Sequence, residues 1–116
     1  VPRGERVARI LPMLRSPDRP TAIIAYEIDD ALPVLIAALS LGLRLPQDLS
    51  LIGVHDTVLD LIGLPVTTMQ IPARELGRRA IELVRERIAD PARRLPPCVV
   101  PFTRRDGATC GAPPAT

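Results

Sequence analysis

The chain has 116 residues, of which 47% are hydrophobic and only 2% aromatic, and its formal net charge is +2. This length allows one domain or a piece of one, and the hydrophobic content excludes a chain that is disordered throughout. The small net charge gives no reason by itself to expect nucleic-acid binding, and no apolar run reaches the roughly 20 residues that a membrane helix needs. Cys98 and Cys110 lack the spacing and the nearby histidines of a metal site. We therefore expect two free thiols in a cytoplasmic protein without a metal or cofactor.

The first half of the chain alternates helical and strand patterns. Residues 4–15 place apolar side chains at three- and four-residue spacing and predict an amphipathic helix, which Pro12 strains. The short β-branched run Thr21–Ala25 predicts a buried strand. A second helix is expected from about Asp29, whose carboxylate suits the positive end of the helix dipole, to about Leu41. Its body is apolar nearly all round, so this helix is buried on several sides or lies in a subunit interface.

The second half continues the alternation and adds a crossing segment. Its expected elements are a strand at 49–54, one or two helical turns at 57–62, an extended piece at 66–70, a long helix at 72–90 and a final strand at 98–103. The residues from Gly107 onward are rich in proline, alanine and glycine and are expected to fray. Strands that alternate with helices predict an α/β fold with a mainly parallel sheet flanked by helices and right-handed crossovers.

An ordered set of short motifs runs along most of the chain. It comprises RPTA at 19–22, the run GLRLPQDLSLIG at 42–53, the pair TT at 67–68, Gln70, Pro72 and the pair LG at 76–77. This set resembles the C-terminal part of the effector-binding domain of LacI/GalR-type transcription regulators. The resemblance extends from about Gly4 to Pro113 and implies the C-terminal lobe of a periplasmic-binding-protein-like fold.

The resemblance implies a regulator that senses a small molecule and forms a homodimer. The effector would bind between two lobes, and its binding would be coupled to DNA binding by an N-terminal helix-turn-helix that these residues do not include. We expect C-terminal-lobe βα units at 1–68, a crossover with an other-lobe helix and return strand at 69–103, and a C-terminal tail at 104–116. Two alternatives are a solute-binding protein for transport and a dimerisation module without a ligand. None of these is an enzyme or a membrane protein.

Polar residues follow the predicted strands and are candidates for ligand binding. Glu27 and His55 both come after buried strands, and the carboxyl ends of parallel strands share one edge of a sheet, so their side chains are expected to converge. Gln70 lies at the crossing between lobes, where relatives can reach the effector. The alternatives are that Glu27 caps the next helix, that His55 is a solvated loop residue, and that Gln70 is a hinge residue that satisfies backbone groups.

The chain departs from the family pattern at two of these positions. Relatives usually have Asn-Asp after the first strand and Asp-Asp after the second, and the Asn and the first Asp commonly contact effector hydroxyls. This chain has Glu27-Ile28 and His55-Asp56 instead. A sugar-like effector is one candidate, and the replacements argue against an ordinary sugar. Acid–base catalysis by Glu27 and His55 is disfavoured, because no nucleophile, third orienting group or metal set accompanies them.

Apolar residues of two predicted helices form a candidate dimer interface. Family members pair through the corresponding helices, and the residues concerned are Leu32, Leu35, Leu39, Leu59 and Ile62. The alternative is that these side chains belong to the core of the chain itself. In the 72–90 helix, arginines alternate with glutamates, which predicts a solvated, salt-bridged face and not a DNA-binding patch.

Overall fold

The computed structural model describes residues 2–115; Val1 and Thr116, the outer ends of the predicted lobe and tail, lie outside the described residues. The elements in chain order are α1 (Arg3–Arg15), β1 (Ala22–Ala25), α2 (Ile28–Ser40), β2 (Ser50–His55), β3 (Leu59–Leu61), β4 (Leu64–Gln70), α3 (Ala73–Ala89) and β5 (Thr103–Arg105). The three predicted long helices and the first two predicted strands are all present, within a few residues of the expected bounds.

The five strands form one sheet with β2 and β4 at its centre. The strand order is β1-β2-β4-β3, and β5 also pairs with β4. Strand β2 is parallel to β1 and to β4, whereas β3 and β5 run antiparallel to β4. The register aligns Ala22 with Ser50 at one end of the sheet and His55 with Gln70 at the other. The predicted α/β fold with a mainly parallel sheet is confirmed.

An aliphatic core lies between the sheet and the first two helices. Helices α1 and α2 pack on each other, and α2 also packs on β1 and β2. The buried apolar side chains of this core are Leu14, Ala25, Ala31, Val34, Leu35, Ala37, Ala38, Leu49, Leu51, Leu59, Leu61 and Val66. Each buried leucine or valine stabilises the fold by about 1.5–3 kcal/mol relative to exposure.

This core corrects part of the predicted dimer interface. Leu35 and Leu59 are each only 2% exposed within the chain itself. They offer almost no surface to a partner, because the sheet and the helices already cover them. Leu39 and Ile62 are 58% and 81% exposed. Leu32 is half-buried at the edge of the core.

The predicted helical turns at 57–62 are wrong, because this segment forms a β-hairpin. Strand β3 pairs with the start of β4, with Leu61 opposite Leu64, so Ile62 and Gly63 form a two-residue turn. Both turn residues have positive φ, 56° for Ile62 and 75° for Gly63, as in the turns that suit the twist of a hairpin. The burial alternates along Leu59-Asp60-Leu61, which is the period of a strand and not of a helix.

The C-terminal region differs from the prediction in two ways. The last strand is β5 at Thr103–Arg105, after the expected 98–103. The residues from Gly107 onward, which we expected to fray, instead pack along β2 and β4. The side chain of Thr109 is fully buried there. The backbone N–H of Leu51 donates to the carbonyl oxygen of Thr109 at 2.8 Å, and the N–H of Gly111 donates to Ser50 Oγ at 3.1 Å. Hydrogen bonds to residues about 60 positions earlier hold this segment in place.

Helix α3 makes few contacts with the sheet or with the other helices. None of its residues is buried, and its main contacts are with the segment that follows it. Three apolar side chains at helical spacing, Ile81, Val84 and Ile88, are 53–74% exposed. None of the helices among residues 2–115 is long and apolar enough to cross a membrane.

Candidate ligand-binding cleft

The carboxyl ends of β1, β2 and β4 place the three predicted ligand residues at one edge of the sheet. Glu27 follows β1, His55 is the last residue of β2 and Gln70 is the last residue of β4. His55 and Gln70 are aligned in the parallel register of β2 and β4. The backbone N–H of Ile71 donates to the carbonyl oxygen of His55 at 2.8 Å, which extends the pairing one residue beyond the strand.

Glu27 and His55 line the same open cleft. The residues that surround it are Tyr26, Glu27, Val54, His55, Asp56, Ile71 and Ala73. Glu27 occupies the N-cap position of α2, but its side chain makes no capping hydrogen bond. The carboxylate therefore remains available to the cleft, where it can accept hydrogen bonds from hydroxyl or amine groups. Both side chains thus line one cleft, as expected, and their role as ligand contacts stays a prediction.

The imidazole of His55 is oriented through its Nδ1 atom. The backbone N–H of Thr57 donates to Nδ1 at 3.2 Å, and Asp56 Oδ1 lies 2.9 Å from the same atom. In the neutral tautomer with the proton on Nε2, Nδ1 accepts from Thr57; in the imidazolium, Nδ1–H donates to Asp56. Nε2 has no hydrogen-bond partner among residues 2–115, so it faces the cleft as a donor or an acceptor for a ligand, according to the tautomer of the ring.

Gln70 lies beside this cleft, in an adjoining depression. Its amide Nε2 donates to the carbonyl oxygen of Asp56 at 2.9 Å, and its Oε1 accepts from Arg105 Nε at 2.9 Å. The depression also contains Arg74 and Glu75, and it shares Asp56, Ile71 and Ala73 with the cleft. These hydrogen bonds fit a hinge residue that satisfies backbone groups better than they fit a direct ligand contact. The ligand role of Gln70 stays a prediction.

Sequence reasoning did not identify Tyr26 and Arg105 as neighbours of the site. Tyr26 follows β1 directly and is 74% exposed at the cleft wall, so its position next to Glu27 was a usable signal. Arg105 reaches Gln70 from 35 residues along the chain, and no local pattern indicates that contact. No cluster of three or more metal-binding side chains occurs within residues 2–115.

The first half of α3 carries the predicted salt bridges between arginines and glutamates. Arg78 pairs with both Glu75 and Glu82, and Arg79 also pairs with Glu82. The Arg78 guanidinium lowers the pKa of the Glu75 carboxyl below its usual value, chiefly by hydrogen bonding. These ion pairs offset the positive charge along the first half of the helix, as expected of a solvated, salt-bridged face.

Comparison with known proteins identifies the fold family. A model described as a periplasmic binding protein-like domain matches residues 2–110. The chain belongs to this family. Among curated relatives, the HTH-type transcriptional repressor PurR of Vibrio vulnificus is 39% identical over 74 residues, which are 63% of this chain and 22% of that protein. The chain thus spans about a fifth of the length of the curated relatives it matches.

Solved structures of LacI-type regulators share the fold over nearly the whole chain. A LacI family transcriptional regulator from Bifidobacterium animalis subsp. lactis has a TM-score of 0.81 and 27% identity, over 97% of this chain and 41% of that one. One from Mycobacterium smegmatis has a TM-score of 0.71 and 31% identity, over 97% of this chain and 43% of that one. The predicted resemblance to the C-terminal part of a LacI-type effector-binding domain is confirmed.

Proposed function

We propose that this chain is the effector-sensing and dimerisation part of a LacI-type transcription regulator. A small molecule binds at the cleft between two lobes and favours one arrangement of the lobes. Because binding to one state shifts the equilibrium between states, the effector changes the affinity of the attached DNA-binding domains for their operator. DNA is contacted only by an N-terminal helix-turn-helix outside these residues. The protein acts in the cytoplasm and is not an enzyme.

The observation that carries this proposal is the placement of Glu27 and His55 in one cleft at the carboxyl edge of the sheet. Ligands of open α/β sheets bind at this edge. A carboxylate that accepts and an imidazole nitrogen that donates or accepts can together recognise a polar small molecule with hydroxyl and amine groups. The two side chains are assigned here as the direct contacts that the C-terminal lobe contributes.

The packing of α3 supports the proposed division of the chain. In this division, residues 1–68 belong to the C-terminal lobe, residues 69–103 cross to the other lobe and return, and residues 104–116 are a C-terminal segment that packs back on the first lobe through Thr109. Helix α3 has no buried residue, and its exposed Ile81, Val84 and Ile88 form an apolar stripe. An apolar stripe of this kind is normally covered by another part of a protein. We assign its cover to the N-terminal lobe of the regulator.

The proposed homodimer uses the exposed side of α2. Ile36 and Leu39 are 39% and 58% exposed, and Leu32, at helical spacing from both, is half-buried at the edge of the core. Ile62 adds a second exposed apolar side chain at the hairpin turn. The interface is therefore smaller than the five predicted residues, because Leu35 and Leu59 belong to the core.

A binding screen tests the proposed ligand role. A panel of neutral monosaccharides, amino sugars and nucleosides is titrated into the chain and followed by NMR. A true effector should saturate and shift the resonances of Glu27, His55 and Asp56. Glu27→Ala and His55→Ala should each weaken binding by roughly 10- to 100-fold, the usual effect of losing a charge-assisted hydrogen bond. Glu86→Ala on the exposed face of α3 is the matched control and should bind normally.

The two alternatives predict different outcomes of the same screen. A dimerisation module without a ligand would show no saturable binding to any compound. A solute-binding protein for transport would bind a compound in this cleft, but its whole protein would be exported and would not bind an operator. Operator binding by the whole protein that changes on addition of the identified compound therefore separates the regulator from both alternatives.

A further inference from the structure

One side chain connects the cleft loop to the last strand of the sheet. Gln70 donates to the carbonyl oxygen of Asp56 at 2.9 Å and accepts from Arg105 Nε at 2.9 Å. We propose that Gln70 is a positioning residue that couples the loop around His55 to β5 through Arg105. This inference rests on the proposed function, since the coupling would transmit the binding of a ligand in the cleft to β4 and β5, the strands at the proposed crossing between lobes.

The cleft side of this connection ends at the ring of His55. Gln70 donates to the carbonyl oxygen of Asp56, and the N–H of the same peptide group, that of Thr57, donates to His55 Nδ1 at 3.2 Å. The carboxylate of Asp56 lies 2.9 Å from the same nitrogen. A displacement of the imidazole therefore moves the peptide that Gln70 holds. A ligand on Nε2 would act on this peptide without contacting Gln70.

The crossing side of the connection is β5. Gln70 is the register partner of Thr103, and Arg104 and Arg105 continue the pairing with β4. The two arginines differ in their partners, because Arg105 binds the Gln70 side chain whereas Arg104 Nε lies 3.0 Å from Asp106 Oδ1. Only Arg105 is therefore connected to the cleft loop, and Arg104 provides a control of the same charge in the same strand.

The chemistry of the amide explains why glutamine suits this position. A primary amide donates through its nitrogen and accepts through its oxygen, so it satisfies a carbonyl group and a guanidinium at the same time. A glutamate would still accept from Arg105, but its carboxylate would repel the carbonyl oxygen of Asp56. Gln70→Glu therefore breaks the hydrogen bond to Asp56 and keeps the one from Arg105. Gln70→Met keeps the length of the side chain and removes both hydrogen bonds.

Hydrogen exchange of the Thr57 amide tests the coupling in the free chain, without any ligand. Arg105→Ala should make this amide exchange about fivefold faster, the usual factor for the loss of one modest hydrogen bond. In a Gln70→Glu background, exchange should already be faster, and Arg105→Ala should add no further change. Arg104→Ala should leave the exchange rate at its wild-type value. Continued protection of the Ile71 amide, which donates to His55, shows that β2 and β4 remain paired.

Two results would overturn the inference. One is an unchanged Thr57 exchange rate in Arg105→Ala, because a residue that only stabilises β4 and β5 would leave the cleft loop unaffected. The other is that Arg105→Ala accelerates exchange of the Thr57 amide equally in wild type and in Gln70→Glu. This result would mean that the effect of Arg105 does not depend on Gln70. If Gln70→Glu loses the protection of Ile71, Gln70→Met replaces it in the same comparison. Failure of the ligand screen would leave these exchange rates unaltered, so the two proposals fail independently.

Discussion

The hydroxyl of Thr109 donates to the carbonyl oxygen of Leu51, 58 residues earlier, over 2.6 Å. The same hydroxyl accepts from the backbone N–H of Thr67 at 3.0 Å, so one side chain bridges β2 and β4. Thr109 is fully buried, and water cannot replace either partner. The C-terminal segment is therefore part of the lobe, since it completes the hydrogen bonding of the two central strands.

Removal of this hydroxyl should destabilise the chain. Thr109→Val keeps the shape of the side chain and leaves the carbonyl group of Leu51 and the N–H of Thr67 without this partner. The expected loss is about 1–3 kcal/mol in the free energy of unfolding, the penalty for buried unsatisfied groups, measured by urea denaturation. Thr21→Val on an exposed residue is the control and should stay within about 0.5 kcal/mol of wild type. Equal stabilities for the two variants would contradict the bridging role.

Gly107 should be intolerant of any side chain. A Cβ atom at this position would lie 2.6 Å from the backbone nitrogen of Thr67 and 2.6 Å from the carbonyl carbon of Val66, and closer still to the carbonyl oxygen of Pro65. These are backbone atoms, so the segment would have to move away from β4. Gly107→Ala should cost about 1–3 kcal/mol of stability. Gly4→Ala, where a Cβ meets nothing within 4 Å, should leave the melting temperature unchanged or slightly higher.

The loop before β2 should make stability depend on acid pH. The Arg44 guanidinium, with the Arg44 backbone N–H, lowers the pKa of Asp48 to about 2. The pKa of Asp48 is therefore lower in the folded chain than in the unfolded chain, where it is about 4. The contribution of Asp48 to the free energy of unfolding is complete above the unfolded pKa and is lost as the pH falls toward about 2. Asp48→Asn should therefore lose less stability than wild type between pH 5 and pH 2, in unfolding curves measured at each pH.

The cause of this pH dependence can be checked separately. Arg44→Ala removes the guanidinium that hydrogen-bonds Asp48 but keeps the carboxyl group. Its stability should depend on acid pH less than that of wild type but more than that of Asp48→Asn, because the backbone N–H of residue 44 still donates to Asp48. A variant lacking Arg44 that still shows the wild-type pH dependence would contradict the assignment to this pair.

Exposed apolar residues should control self-association. Leu39→Asp and Ile62→Asp place a charge in the proposed interface, and each should raise the dimer dissociation constant by about tenfold or more in sedimentation experiments. Val99→Asp is the control, because Val99 is 87% exposed outside the proposed interface. A wild-type chain that stays monomeric across micromolar concentrations, or an equal effect of Val99→Asp, would reject the interface.

Much of the fold could be predicted because local periodicity encodes it. Apolar side chains at three- and four-residue spacing predict α1, and a nearly uniform apolar run predicts α2. Arginines that alternate with glutamates belong to the exposed face of α3. Short apolar runs predict β1 and β2. The 57–62 segment was misassigned because a short apolar run does not by itself distinguish a strand from a helical turn. Its hairpin depends on Ile62 at positive φ, which a β-branched residue seldom adopts.

Features that depend on distant residues were beyond local pattern. The C-terminal segment is buried because Thr109 forms hydrogen bonds with Leu51 and Thr67. The sequence around Thr109 does not indicate those partners. The same holds for Arg105, which reaches Gln70 only because β5 pairs with β4. The positions of Glu27 and His55 could be predicted, because the rule that parallel strands end at one edge needs only the strands.

The most direct test of the central claim is saturable binding of a small polar molecule at the cleft of Glu27 and His55. We predict that at least one compound of the monosaccharide, amino sugar and nucleoside panel saturates the chain and shifts the His55 ring resonances. Glu27→Ala and His55→Ala should each weaken that binding by roughly 10- to 100-fold. A panel without a saturable binder, or a binder whose affinity is the same in both variants and in Glu86→Ala, would contradict the account.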